Sequence, residues 1–421
     1  MDPIENPFTP GAGTPPPELA GRDGIREAIR VAIERVRRGR SAKSALMVGL
    51  RGVGKTVLLD RMRLDAEHTG ILTLRIEAPE DRSLPGILAP ELRQVLLKLS
   101  LNHRAADYGK RALQALAGFV KALKVKYQDI EVGLDYAAEP GLADNGDLQH
   151  DLRDLLQATG EAAQKAETAI VIFIDELQYV DELQLAALIT ALHTISQRGL
   201  PVILIGAGLP NLRGNTGKAK SYAERLFEFP SIGALPQPAA EQAIVVPLHN
   251  EGVKIDADAL SVIISKTRGY PYFLQEWGKQ SWDVAPGSPI RKQDVDRASE
   301  IAIAALDASF FGVRFDRLTN AEKKYLRAMA ALGVGPHRSG DIAKELKRAV
   351  TSLGPVRNTL ISKGMVWSPS HASTAFTVPL FDEYMKRIIS DNDFEADTVI
   401  DEIDRHVRKT SRAHSRWRRK K

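Results

Sequence analysis

Four short apolar-rich runs mark the first half of the chain: ALMV at 45–48, ILTLRIEA at 71–78, AIVIFI at 169–174 and PVILIG at 201–206. Short runs with few polar interruptions suit strands buried on both faces. Stretches of helical period separate them, so the alternation predicts a parallel sheet covered by helices, an α/β core. Ahead of the first run, Ile25, Ile29, Ala32, Ile33 and Val36 recur on one face of a helix over 22–38. The first seventeen residues hold six prolines and read as extended chain.

One stretch breaks this rhythm. Residues 103–123 have helical spacing, KVKYQDIEVGLDY alternates like a half-exposed strand or hairpin, and EPGLADNGD reads as a loop. The whole of about 101–150 reads as an insertion with no chemistry assigned. From 238 to 315 the pattern is helical throughout. A third unit follows at 319–390, opening on an amphipathic helix over 320–332 with Leu326, Met329 and Ala330 on one face. GPHRSGDIAKELK predicts a turn, Ser339 as N-cap and a short second helix. TSLGPVRNTLISKG predicts a third helix, with Leu353, Val356 and Leu360 inward and Pro355 in its first turn. MVWSPSHASTAFTV reads as a two-stranded wing. No repeat of 20–50 residues is visible.

At 421 residues the chain is too long for one core, and roughly three domains are expected. With no cysteine, disulfides, thiol catalysis and cysteine-bound metal sites are excluded. The N-terminus MDPIENPF lacks a secretory pattern, and no run approaches the ~18 apolar residues of a membrane span. A cytoplasmic protein with no membrane partner is therefore expected. Charge changes the picture more. Of a net +5, residues 405–421 contribute nine Lys or Arg and no acid, leaving the rest of the chain at −4. Residues 319–390 carry a local +6. This suits either a polyanion partner or a solubilising tail.

The candidate chemistry lies at GLRGVGKT, between an apolar run and a helical one. It matches G-x-x-x-x-G-K-[ST] at every fixed position, in the strand–loop–helix context the motif requires. Gly49, Leu50, Arg51, Gly52, Val53 and Gly54 would turn backbone N–H groups toward phosphates, with Val57 continuing the helix N-terminus. Lys55 would reach the β- and γ-phosphates, and Thr56 would offer its hydroxyl to Mg²⁺. AIVIFIDELQYV supplies the second half, delivering Asp175 to a strand end as the Mg²⁺ partner. Glu176 follows as the residue to orient or activate a water.

GLRGVGKT together with IFIDELQ resembles the AAA+ branch of P-loop ATPases. The nearest groups are origin-recognition initiator ATPases, archaeal-type ATPases and STAND signalling ATPases. ELAGRD, with Arg22, is similar to the stretch that contacts adenine there, and Gly269-Tyr270-Pro271 is similar to a G-x-P element of the lid. The resemblance spans about residues 18–285. It implies ATP and Mg²⁺ as cofactors, ATP hydrolysis, and assembly into an ATP-dependent homo-oligomer. Arg225 is the candidate arginine finger, or else a solvated surface charge. Two departures stand out. Gly206, Ala207 and Gly208 occupy the place of the usual polar sensor, with Asn211 beyond them, and the lid offers only Arg268, ahead of the expected position.

The third unit resembles the winged helix carried by many relatives of this group. That resemblance implies either DNA read by the third helix, with Arg357, Asn358 and Lys363 near the duplex, or a protein partner with no DNA. The expected organisation is an extended segment (1–17), an AAA+-like ATPase core (18–237), a helical lid (238–318), a winged-helix domain (319–390) and a basic tail (391–421). In the tail, Trp417 among arginines could stack on bases, although unstructured chain is expected there. The expected function is an ATP-dependent switch acting on or at DNA, with a STAND-like signalling or scaffold ATPase as the alternative.

Overall fold

The computed structural model describes residues 1–11, 13–79, 81–133 and 136–394. The basic stretch 405–421 and Trp417 lie outside the described residues. Contacts divide the chain into a first unit, Met1–Ala298, and a second that begins at Ser299. Residues 299–318, read from sequence as part of the lid, thus group with the C-terminal unit. Among the described residues no helix is long and apolar enough to cross a membrane.

The first unit begins with α1 (Asp23–Arg37), β1 (Ser44–Val48), α2 (Lys55–His68) and β2 (Leu72–Glu77). Three helices then intervene, α3 (Leu84–Ser100), α4 (Ala106–Leu123) and α5 (Leu148–Lys165), before β3 (Ile170–Asp175). After α6 (Glu182–Gln197) and β4 (Val202–Gly208) come two short helices, α7 (Leu212–Ala219) and α8 (Ala223–Leu226), and β5 (Phe227–Glu228). The five strands form one parallel sheet in the order β2-β3-β4-β1-β5. Every residue of β3 and β4 is buried, as their unbroken apolar runs require. Two-residue β5 is too short for any periodicity to reveal.

The stretch 101–150 does not stand apart from this core. Leu113, Leu116, Phe119 and Leu123 of α4 are buried in the same apolar cluster as Leu74 of β2 and Ile172 of β3. KVKYQDIEVGLDY forms no strand among its described residues, contrary to the sequence reading. Three of its apolar positions are anchor points instead: Ile130 is fully buried, and Tyr127 and Val132 pack against the cluster. Between them the Asp129 carboxylate accepts bonds from Ser83 N (2.8 Å) and Ser83 Oγ (2.7 Å) at the start of α3. The glycine-rich stretch around Gly214 and Gly217 is helical, as α7.

The remainder of the first unit is helical. α9 (Gln237–Asn250), α10 (Ala257–Thr267) and α11 (Pro271–Val284) pack on one another, and the unit boundary falls inside α12 (Lys292–Leu306). The N-terminal segment lies along α11. The Trp282 indole N–H donates to Asp2 O (2.7 Å), and Asn6 Nδ2 donates to Lys279 O (3.1 Å) and Asp283 Oδ1 (2.8 Å). Phe8 is buried against Gly278, where a Cβ would come within 2.6 Å of its ring. Proline content predicts extended chain here, and apart from one 3-10 turn at Pro3–Glu5 the described residues to Pro17 hold no helix or strand.

The second unit holds α13 (Gly312–Asp316), α14 (Asn320–Ala331), β6 (His337–Arg338), α15 (Ser339–Glu345) and α16 (Val350–Ser362). β7 (Val366–Trp367), β8 (Ser373–Phe376) and α17 (Phe381–Ile388) complete it. The strands make an antiparallel sheet in the order β6-β8-β7. A capping box between Thr319 and Glu322 starts α14. Ser339 is not the cap of the next helix: it is the first residue of α15, and its hydroxyl donates to Ala372 O (3.0 Å). Because α16 begins at Val350, Pro355 lies inside the helix rather than in its first turn. Leu353 and Leu360 are buried there, and Val356 is half-buried.

Candidate nucleotide-binding site

The loop 49–54 joins the C-terminal end of β1 to the N-terminus of α2. Two of its glycines are required for different reasons. A Cβ on Gly49 would collide with the Ile232 carbonyl, because Ile232 N donates to Val48 O (2.8 Å) and brings that backbone alongside. Gly54, the residue preceding α2, sits at φ 86°, a conformation that L side chains rarely adopt. No side chain caps α2, so its first N–H groups are offered to whatever occupies the loop.

Lys55 opens that helix and is 6% exposed. Its ammonium donates to Gly49 O (2.9 Å) and Leu50 O (2.8 Å). Burial lowers its pKa from 10.5 to about 8, only partly offset by the Glu176 and Asp175 carboxylates, while Arg51 adds to the lowering. Arg51 Nη2 donates to Tyr179 Oη (2.7 Å), which ties the loop to the chain just beyond β3.

Asp175 ends β3 and is 1% exposed. One of its oxygens accepts Glu176 N (2.9 Å), and the other lies 3.5 Å from Arg75 of β2. Glu176 turns the chain sharply at φ 50°. Its carboxylate accepts a bond from Gln178 Nε2, and Gln178 Oε1 accepts Leu209 N (3.0 Å) just past β4. Arg75 and Gln178 were given no role from sequence. Gln178 had a legible signal: β4 ends on glycine and alanine, so a polar group reaching that end must come from another element.

Two further elements converge on the loop. The Arg22 guanidinium, 8% exposed, donates to Gly233 O (2.5 Å) and Val53 O (3.4 Å), and desolvation lowers its pKa. Pro271 is the first residue of α11, and the next residue, Tyr272, donates its N–H to Gly52 O (3.2 Å). A Cβ on Gly13 would lie 3.6 Å from Thr56 Cγ2, so the N-terminal segment passes beside the first turn of α2. The structure thus gathers Gly49 to Val57, Arg22, Pro271, Asp175 and Glu176 around one end of the sheet. Ligands of open α/β sheets bind at the carboxyl ends of strands.

Arg225 is exposed on α8 and makes none of these contacts. In the second unit Arg357 is engaged internally: Nε donates to Thr374 Oγ1 (2.8 Å), and Nη2 to Ser368 Oγ (2.7 Å) and Ser373 O (3.0 Å). Lys363 donates to Arg317 O (2.9 Å) and pairs with Glu322 (2.8 Å). Asn358 is exposed. Among the described residues no group of three or more His, Asp or Glu could hold a metal ion.

A family model described as AAA ATPase domain matches residues 18–205. A second, described as a domain of unknown function (DUF8462), matches residues 308–385. Among curated proteins none matches the chain. Among solved structures, the chain is similar to a Walker-type ATPase of Pyrococcus abyssi, at 13% identity and a TM-score of 0.53, over 87% of this chain and 96% of that one. It is also similar to the Aeropyrum pernix Orc1 protein in complex with DNA, at 16% identity and a TM-score of 0.44, over 88% of this chain and 94% of that one. At such identities a likeness speaks to the fold alone. The fold is that of a P-loop α/β sheet, and residues 18–205 match the AAA ATPase domain model.

Proposed function

We propose that this chain is an ATP-dependent switch that binds ATP with Mg²⁺ at the β1–α2 loop and hydrolyses it. The observation that carries the reading is an uncapped α2 N-terminus whose first residue, Lys55, is a buried cation held at the loop by the Gly49 and Leu50 carbonyls. In the ligand-free chain that ammonium has only backbone carbonyls and distant acids to balance its desolvation, so a phosphate fits the place. The bound nucleotide would supply the phosphoanhydride bond to be broken. Around it, Lys55 and the N–H groups of α2 would hold the phosphates, while Thr56 and Asp175 would hold Mg²⁺. Glu176 orients the attacking water and accepts its proton, and Arg22 and Pro271 flank the base. Because Tyr272 N bonds Gly52 O, α11 is placed to follow the loop's occupancy.

Calorimetric titration with Mg²⁺-ATP at pH 8, repeated in buffers of different ionisation enthalpy, tests this reading. Phosphate raises the pKa of Lys55 from about 8, so the complex binds protons that the free chain lacks. Uptake of roughly half a proton per nucleotide is expected at that pH, fading in more acidic solution. Absence of binding would remove the reading.

Arg225, exposed on its short helix, is proposed to complete the site of a neighbouring copy. Specific activity should then rise with protein concentration, and Arg225→Ala should lose turnover but bind ATP normally. A concentration-independent rate would refute it.

For the second unit we propose a winged helix, supported by its helix–strand–helix–helix–strand–strand order and its charge. DNA contact through phosphates is the first reading of its output. The internal bonds of Arg357 and Lys363 favour the second, assembly with a protein partner, since reading a base edge would break them. Both predict that Arg357→Ala lowers the thermal midpoint, at about 1.5–3 kcal/mol, without changing any DNA sequence preference. Duplex binding across a salt series separates the readings: a steep slope supports phosphate contact. Micromolar protein that ignores DNA in low salt supports assembly.

A further inference from the structure

The end of β4 presents Gly206, Ala207 and Gly208, none with a polar side chain. The structure supplies one from elsewhere. Gln178, two residues beyond Glu176, lays its amide across the gap: Oε1 accepts Leu209 N (3.0 Å), and Nε2 donates to the Glu176 carboxylate. The acceptor bond to the backbone leaves the amide N–H₂ group facing Glu176, so the two bonds fix one orientation. Gly208 makes room for this, because a Cβ there would come within 2.6 Å of Gln178 Oε1. The Glu176 carboxylate so held is also the leading favourable charge acting on the Lys55 ammonium. Tyr179, the residue after Gln178, accepts a bond from Arg51 Nη2 (2.7 Å), so this turn is tied directly to the phosphate-binding loop.

We propose that Gln178 is a positioning residue for hydrolysis, standing in from the β3 side for the polar side chain that β4 lacks. It aims the Glu176 carboxylate at the loop and couples that aim to the end of β4. The inference rests on the proposed ATPase reading of the site. The glycine and the glutamine are two halves of one device: the small residue on β4 is the space that the β3 amide fills.

Steady-state ATP turnover and nucleotide affinity are compared in wild type, Gln178→Ala, Gln178→Glu and Gly208→Ala, all as full-length chains. Gln178→Ala and Gly208→Ala should keep nucleotide affinity within about threefold and lose about tenfold or more in kcat, since the general base remains but is no longer aimed. Gln178→Glu decides between aiming and packing. It keeps the size of the side chain and an acceptor for Leu209 N, but cannot donate to Glu176. Its kcat should fall as far as that of Gln178→Ala. A Gln178→Glu variant with near-wild-type kcat would show that only packing matters and overturn the proposal. Equal losses in affinity and kcat across the variants would overturn it as well, pointing to a disturbed site. Wild type that fails to bind or to turn over ATP removes the ATPase reading itself, and this inference with it. Wild-type turnover alongside an unaffected Gln178→Ala removes the inference alone.

Discussion

Lys55→Ala should abolish nucleotide binding at working concentrations while leaving the ligand-free protein as stable as before. The two halves of that expectation have one cause. Lys55 is 6% exposed and donates only to the carbonyls of Gly49 and Leu50, so its charge is poorly compensated and burial drives its pKa down to about 8. Removing a buried charge bonded only to two carbonyls relieves its desolvation, which offsets the bonds lost. With phosphates in the loop the situation reverses, because the ammonium becomes a charge-assisted donor in a site shielded from water. Losing bonds of that kind costs about 3 kcal/mol or more, over a hundredfold in Kd. Fluorescent-nucleotide titration and thermal melting of the same preparations check both halves. Affinity equal to wild type would dissolve the assignment of the loop.

Glu176→Gln should bind nucleotide as wild type does and slow turnover by roughly 10²–10⁴-fold. The substitution conserves shape at the left-handed turn after β3 (φ 50°) and leaves Asp175 and Thr56 in place for Mg²⁺. What it removes is the ability to take a proton from water. Single-turnover measurement with saturating enzyme isolates the chemical step, and unchanged rates there would assign the base to another residue.

How much of this was legible beforehand depends on the distance over which each feature is encoded. The four main strands could be read because burial on both faces leaves an apolar run of strand length, visible within a few residues. The same holds for GLRGVGKT and for Asp175, since loop, helix start and strand end are contiguous stretches. Local patterns failed where an apolar position answers to a distant partner. KVKYQDIEVGLDY alternates like a strand because Tyr127, Ile130 and Val132 each reach the core, while Asp129 bonds Ser83 at the head of α3. The stretch 101–150 resembled an insertion because α4 interrupts the strand rhythm, yet its leucines fill the common core.

By itself the sequence determined the α/β class, the glycine-rich loop between β1 and α2 with its lysine, and the acids at the end of β3. Each is written in consecutive residues whose backbone geometry is set by glycine freedom, apolar burial or helix initiation. Tertiary structure alone decided which strands are neighbours, and so that β4 stands between β1 and β3 with Gln178 bridging to its end. It also decided that Arg357 and Lys363 bond within their own unit. A long polar side chain bonds the nearest group in space, whatever its place along the chain, and no periodicity in the sequence records which group that will be.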